Sequence, residues 1–568
     1  MVKLLDADEV LSLQEKASRG GVLAALHRHR LATDERRKLN ALAQERETEA
    51  HAASGDDWRQ PLKMTPRGLA GAGGGRQGLV GSMPEWRGTT VQVAGLWPWA
   101  VGAGAPIVGT PLGSHLVTGG PVCFDPLNWF ARGNFLSNPS AFVLGLPGYG
   151  KSTLTRKIVI GSIAQGVTPL VLGDMKPDYR RLVELHGGQV INLGRGKGKL
   201  NPLAVGALGS ILPELKGHPA LHQQVSQLVR GRQVTMMSAL VELVRGARIA
   251  DFEETLLSTA LEVLYSERGH TAENPPLIRD LLELLLEANP HADLVDDAGC
   301  DSVDEYVATV KPLRRAINAI LRGPFGEVFD GHTTTPINVE AEAVCVDVSD
   351  IAQGDAKLKA AVMLTCWSDG FGAMEAAHLL HDAGLGPQRY FLAVLDELWQ
   401  VLGAGVGMVD RTDEITRLNR SMGTGLLMIT HTVKDLESLK DQADATKAVG
   451  FIERAGALIV GALPLTEMKR LNEIKPFTAR EVAEVTSWSS QASLTGEALR
   501  PGEHRPPPPG QGKFLLKLGE EGRPGIPMQV RLTPTEEASG VHDTNTRFSE
   551  MNQTTKDLVT DETDGSQE

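Results

Sequence analysis

The chain has 568 residues, 41% of them hydrophobic and 22% charged, with a formal net charge of −13. That length exceeds one domain at about 150 residues each, and the composition is that of a globular protein. The negative balance excludes a surface coated for nucleic acid but leaves room for a local basic channel. Four scattered cysteines, Cys123, Cys300, Cys345 and Cys366, form no C-x-x-C pair, which argues against a zinc site and suits a reducing compartment.

Residues 1–60 carry broken helical periodicity (Leu4, Leu5, Val10, Leu11, Leu13) and mixed charge, the pattern of solvated helices or of a docking surface. The charge from Lys3 onward leaves no signal-peptide core. Residues 61–84 are rich in Gly and Arg and read as a linker. Residues 85–140 read as short β segments, with Thr89–Val93 as one strand. His115–Val117 and Val122–Phe124 flank a hairpin turn. The stretch from Gly88 to Ser114 has no charged residue, yet Pro98, Pro106 and Pro111 stop it from crossing a membrane as a helix. The sequence therefore predicts no transmembrane segment.

Ala141–Leu144 reads as a buried strand, followed by Gly145, Leu146, Pro147, Gly148, Tyr149, Gly150, Lys151, Ser152 and Thr153, and then by a helix from Leu154. This is G-x-x-x-x-G-K-S in strand–loop–helix context, a phosphate-binding loop. Glycines let successive N–H groups turn inward onto phosphate oxygens, and the helix sets its positive end on the same anion. Lys151 is placed to reach the β- and γ-phosphates of ATP, and Ser152 to hold Mg²⁺. Gly196-Lys197 and Gly198-Lys199 are decoys, because no Ser or Thr follows either lysine and no glycine stands where the first belongs.

Thr168–Leu172 predicts a second strand, ending in Gly173-Asp174-Met175-Lys176-Pro177. Beyond a strand's carboxyl end, Asp174 and Lys176 either face a nucleotide or a neighbouring subunit, or form an ordinary turn. Gln189–Leu193 is a third strand, followed by the basic loop of Arg195, Lys197 and Lys199. From about 207 to 334 the pattern is helical only, with capping-box starts at Asp251/Glu254 and Ser302/Glu305. Val344–Val348 returns to strand and Ala356–Trp367 to helix. Tyr390–Leu395 is an apolar run of the kind buried on both faces of a parallel sheet, and it ends in Asp396 and Glu397. Coupled with an upstream phosphate loop, Asp396 orders the metal shell and Glu397 polarises the attacking water. Gly425–Ile429 ends in Thr430-His431, where a γ-phosphate sensor or a plain turn histidine would sit. Ala457–Gly461, Lys513–Leu518 and Met528–Leu532 are further strands. The polar, acidic residues 536–568 predict disorder.

Taken together, G-L-P-G-Y-G-K-S, D-M-K-P-D, L-N-P-L (Leu200–Leu203), the helical insert, G-P-F-G-E-V-F-D-G, V-L-D-E and L-M-I-T-H resemble the conjugation and type IV secretion ATPases of the HerA–FtsK class, over roughly residues 85–535. The resemblance implies an α/β, RecA-like P-loop core in two parts, 141–206 and 335–535. The helical subdomain 207–334 would be inserted between them and a β-rich domain, 85–140, would precede them. It further implies homo-hexamers at the cytoplasmic face of the membrane, working with inner-membrane channel proteins or, in the alternative of a DNA pump, on single-stranded DNA directly. An arginine from the neighbouring subunit would complete each site, Arg420 first and Arg454 second. One departure is His431, where relatives often carry Gln. A nucleotide-gated scaffold without turnover is the rival from another class, and the intact Glu397 argues against it.

Overall fold

The computed structural model describes residues 105–194, 196–352, 354–405, 407–416, 423–439, 441–490, 508–519 and 523–543, with 7–18, 27, 30–34, 38, 63–65 and 68–70 nearer the start. The chain divides into two compact units, Met1–Gly102 with Arg531–Asp557, and Ala103–Val530 with Leu558–Glu568. In the first unit Ala7–Ser18 is helical, and β1 (Lys63–Thr65) pairs antiparallel with β2 (Gly68–Ala70) inside the stretch read as a linker. The acidic tail, expected to be unstructured from 536, opens within a short helix, Pro534–Ser539. The Thr533 hydroxyl caps it by accepting from Glu536 N at 3.2 Å, and the Glu536 carboxylate accepts from Thr533 N at 2.7 Å. The predicted strand Thr89–Val93 lies outside the described residues.

The second unit is built on one sheet of eleven strands. They are β3 (Pro111–His115), β4 (Pro121–Cys123), β5 (Ser140–Leu144), β6 (Val167–Asp174), β7 (Gln189–Asn192), β8 (Val344–Asp347), β9 (Tyr390–Leu395), β10 (Thr424–Ile429), β11 (Ala457–Val460), β12 (Lys513–Leu518) and β13 (Ile526–Val530). The spatial order is β4-β3-β13-β12-β11-β5-β10-β9-β6-β8-β7. From β11 to β7 every pairing is parallel. Among them β5, β9 and β10 are buried along nearly their whole length, which is why they read as apolar runs rather than alternating ones. From β12 outward the pairing turns antiparallel. The strands β3 and β4, read as part of a preceding β-rich domain, hydrogen-bond onto β13 and so lengthen the core sheet.

Between β7 and β8 the chain is helical throughout its regular elements, from Gly206–Ser210 to Gly326–Phe329. Two helix boundaries differ from expectation. The helix after Arg245 starts at Asp251 with Ala250 as its cap residue, so Glu253 rather than Glu254 closes it by accepting from Ala250 N at 3.0 Å. The helix expected over Ala356–Trp367 continues to Asp382, through Gly370 and Gly372. Gly370 is a packing site: a Cβ there would lie 2.5 Å from the Leu172 side chain of β6. The insert shares one apolar cluster with the sheet, running from Phe142 and Leu144 to Leu257, Leu281 and Ile317. Arg248–Asp410 at 2.6 Å and Arg411–Glu254 at 2.9 Å also tie it to the helix Met408–Thr416.

Candidate nucleotide site

Parallel strands point their carboxyl ends the same way, so the residues following β5, β10, β9 and β6 share one edge of the sheet. The phosphate loop follows β5 and the Asp396-Glu397 pair follows β9, with β10 between them. Lys151 and the two carboxylates, distant in sequence, thereby meet at one place.

The loop is held mainly by backbone. Gly145 N donates to His431 O at 3.1 Å, Leu146 N to Ala462 O at 3.0 Å, and Gly512 N to Tyr149 O at 3.0 Å. Gly148 and Gly150 have φ of +83° and +95°, the left-handed region that lets the loop curl. A Cβ on Gly150 would also press on Gly512 at 3.4 Å, and one on Gly145 on Gly461 at 3.3 Å. The helix Lys151–Ala164 begins at the loop's end, so its first N–H groups face the curl. Pro147 is exposed, and Ser152 and Thr153 are half-buried. The Tyr149 hydroxyl reaches Ser489 O at 3.3 Å.

Lys151 is buried, and its amine donates to Gly145 O at 2.5 Å and Leu146 O at 3.3 Å and meets His431 Nδ1 at 3.0 Å. Burial lowers it to about 8, against the pull of Asp396 and Glu397 in the other direction. Asp396 accepts from Tyr179 OH at 3.1 Å and from Glu397 N at 2.8 Å. Burial, and then the Glu397 charge, raise its carboxyl to about 6.

Glu397 is held differently. Its backbone sits at φ 51° and ψ 37°, one of two non-glycine residues at positive φ among the described residues. Such a conformation costs about 1–3 kcal/mol and persists only where its surroundings impose it. Lys176 Nζ donates to Oε1 at 2.7 Å, and Trp399 Nε1 to Oε2 at 2.7 Å. His431 Nε2 lies 3.2 Å from Oε2. Burial would raise this carboxyl, but the hydrogen bonds from His431 and Lys176 hold it well below the usual carboxylate range.

The alternatives at the end of β6 divide between its two residues. Asp174 turns inward and accepts from the backbone N–H groups of Asp178, Tyr179 and Arg180, while Lys176 joins Glu397. Tyr179, fully buried and 2.8 Å from Thr155 Oγ1, and Trp399 were missed from sequence. An aromatic two residues past Glu397 and another five past Asp174 were the only available signals. Arg420 lies outside the described residues. Arg454 pairs with Asp413 at 2.7 Å. In the basic loop Lys197 pairs with Asp350, and Lys199 donates to Asp330 O at 2.6 Å. The four cysteines are free and buried. Among the described residues no helix is long and apolar enough to cross a membrane.

The fold resembles that of a solved structure, VirB4 of Thermoanaerobacter pseudethanolicus. The likeness covers 77% of this chain and 100% of that one, with a TM-score of 0.55 and 18% sequence identity. The fold is that of VirB4. The plasmid coupling protein TrwB, solved in complex with ADP and Mg²⁺, is more distant: 11% identity, 76% of this chain, 98% of that one and a TM-score of 0.41. The cytoplasmic domain of the type VII secretion ATPase EccC of Thermomonospora curvata has a TM-score of 0.29 at 14% identity, covering 76% of this chain and 30% of that one. No family model matches the sequence, and no curated protein does.

Proposed function

We propose that the chain is an ATP-hydrolysing motor of a conjugative DNA-transfer or type IV secretion apparatus. The observation that carries this reading is the meeting of Lys151, Asp396 and Glu397 on one sheet edge beside a curled glycine loop. The order of motifs and the VirB4-like fold agree with it.

The residues present suit a magnesium triphosphate. The Lys151 amine rests on carbonyl oxygens and a ring nitrogen, acceptors that phosphate oxygens would replace. The buried Thr430 hydroxyl at the end of β10 has no partner. Loop N–H groups and Lys151 bind the phosphates, and Ser152 and Asp396 would hold Mg²⁺, whose charge neutralises the transferring phosphoryl group. Tyr179 orients Asp396 through its hydroxyl. Glu397 aims water at the γ-phosphate, so most of the rate comes from positioning and electrostatics. The motor works as a homo-hexamer at the cytoplasmic face of the inner membrane. Channel proteins are its partners there, and Arg420 of one subunit completes the site of the next.

Glu397→Gln keeps the shape of the side chain and removes its charge. The variant should bind ATP as the parent does while steady-state turnover falls about 10²–10⁴-fold. Normal hydrolysis by that purified variant removes Glu397 from the reaction and the motor reading with it.

A further inference from the structure

One chain of contacts crosses the site from the loop to the acid. It runs from Lys151 Nζ to His431 Nδ1 at 3.0 Å, then from His431 Nε2 to Glu397 Oε2 at 3.2 Å, and Trp399 Nε1 meets that same oxygen at 2.7 Å. A lysine ammonium can only donate. His431 Nδ1 therefore accepts, the neutral ring carries its proton on Nε2, and Nε2–H donates to Glu397. Lys151 thus selects the tautomer that grips Glu397. The backbone reinforces the link, since His431 O accepts from Gly145 N, the first residue of the loop.

We propose that His431 is a positioning residue that couples the phosphate loop to Glu397: it aims the carboxylate and passes to it the displacement of Lys151 when phosphate arrives. This rests on the nucleotide-site reading above. Both Glu397 oxygens are taken, Oε1 by Lys176 and Oε2 by Trp399 and His431. When phosphate oxygens draw the Lys151 amine away, Nδ1 loses the donor that set the ring. The Nε2–H bond to Glu397 then readjusts, and Trp399, on the same oxygen, reports the change. A glutamine amide also presents one acceptor and one donor across a short planar group, so Gln at this position can serve the same relay.

The test compares His431→Phe, which removes both ring nitrogens' hydrogen bonds, with His431→Gln, which restores an acceptor and a donor. ATP affinity, kcat and tryptophan emission are measured for each, with Trp399→Phe identifying the reporting indole. For His431→Phe, kcat should fall about 10–100-fold, while ATP affinity stays within about threefold, well under 1.4 kcal/mol. The emission change on ATP binding should vanish in His431→Phe and persist in His431→Gln, whose kcat stays near that of the parent. Unchanged kcat in His431→Phe, equal loss in both variants, or loss of ATP binding along with kcat overturns the inference. If the parent protein itself neither binds nor hydrolyses ATP, the motor reading fails first and takes the inference with it. An active parent with a normal His431→Phe variant removes the inference alone.

Discussion

The two halves of the site are built on opposite principles. On the loop side, main-chain hydrogen bonds to Ala462, His431 and Gly512 and two left-handed glycines set the geometry. On the acid side, side chains do so: Lys176, Trp399 and His431 hold a glutamate whose own backbone is strained. Under the proposed reading, a backbone cradle would recognise what every nucleoside triphosphate shares, and it needs little from the rest of the protein. A carboxylate proposed to aim water depends on whatever its neighbours are, and so it is open to adjustment by them.

The largest effect should come from the loop side. Lys151→Ala removes a buried cation from the cradle, and nucleotide binding or turnover should fall by about 10² or more. Calorimetric titration with ATP checks it, and retained affinity would show that the backbone alone suffices.

Next comes the acid side, where function and stability should part. Asp396 has a carboxyl raised by burial to about 6, from an ordinary value of 3.8. A raised carboxyl pKa means that the folded state holds the proton more tightly than the unfolded chain. Folding is then favoured as pH falls from above 6 toward 4, and charged Asp396 destabilises the protein at pH 8. Asp396→Asn should abolish turnover yet raise stability at pH 8 by about 1–3 kcal/mol, and the gain should shrink by pH 5. Thermal unfolding at the two pH values measures this, and a less stable variant at pH 8 would mean that Asp396 is not strained by burial.

The smallest effect should be at the basic loop, which belongs to neither half. The Lys197 pair with Asp350 is largely exposed. Lys197→Ala should change stability by less than about 0.5 kcal/mol and leave basal turnover alone. If it instead removes a DNA-stimulated increment of turnover, the loop touches the strand and the contrast must be widened to include a third region.

Local sequence was enough for local structure. The strand, the curl and the helix from Ala141 onward follow from an apolar run, glycines that tolerate positive φ, and a helical pattern, all within a few residues of one another. The apolar runs of β9 and β10 likewise announce strands buried on both faces. Where the reading slipped, the cause was tertiary. The helix read as ending at Trp367 runs on to Asp382, and Gly370 within it packs closely against Leu172. The strands β3 and β4 look like a separate domain until their pairing with β13 is seen. Tyr179, Trp399 and the facing of Lys176 toward Glu397 follow from the order of strands at one sheet edge. That order is set by which apolar faces bury against each other across hundreds of residues. A sequence states backbone preference and burial residue by residue, whereas the company Glu397 keeps is decided only when β10 is laid between β5 and β9.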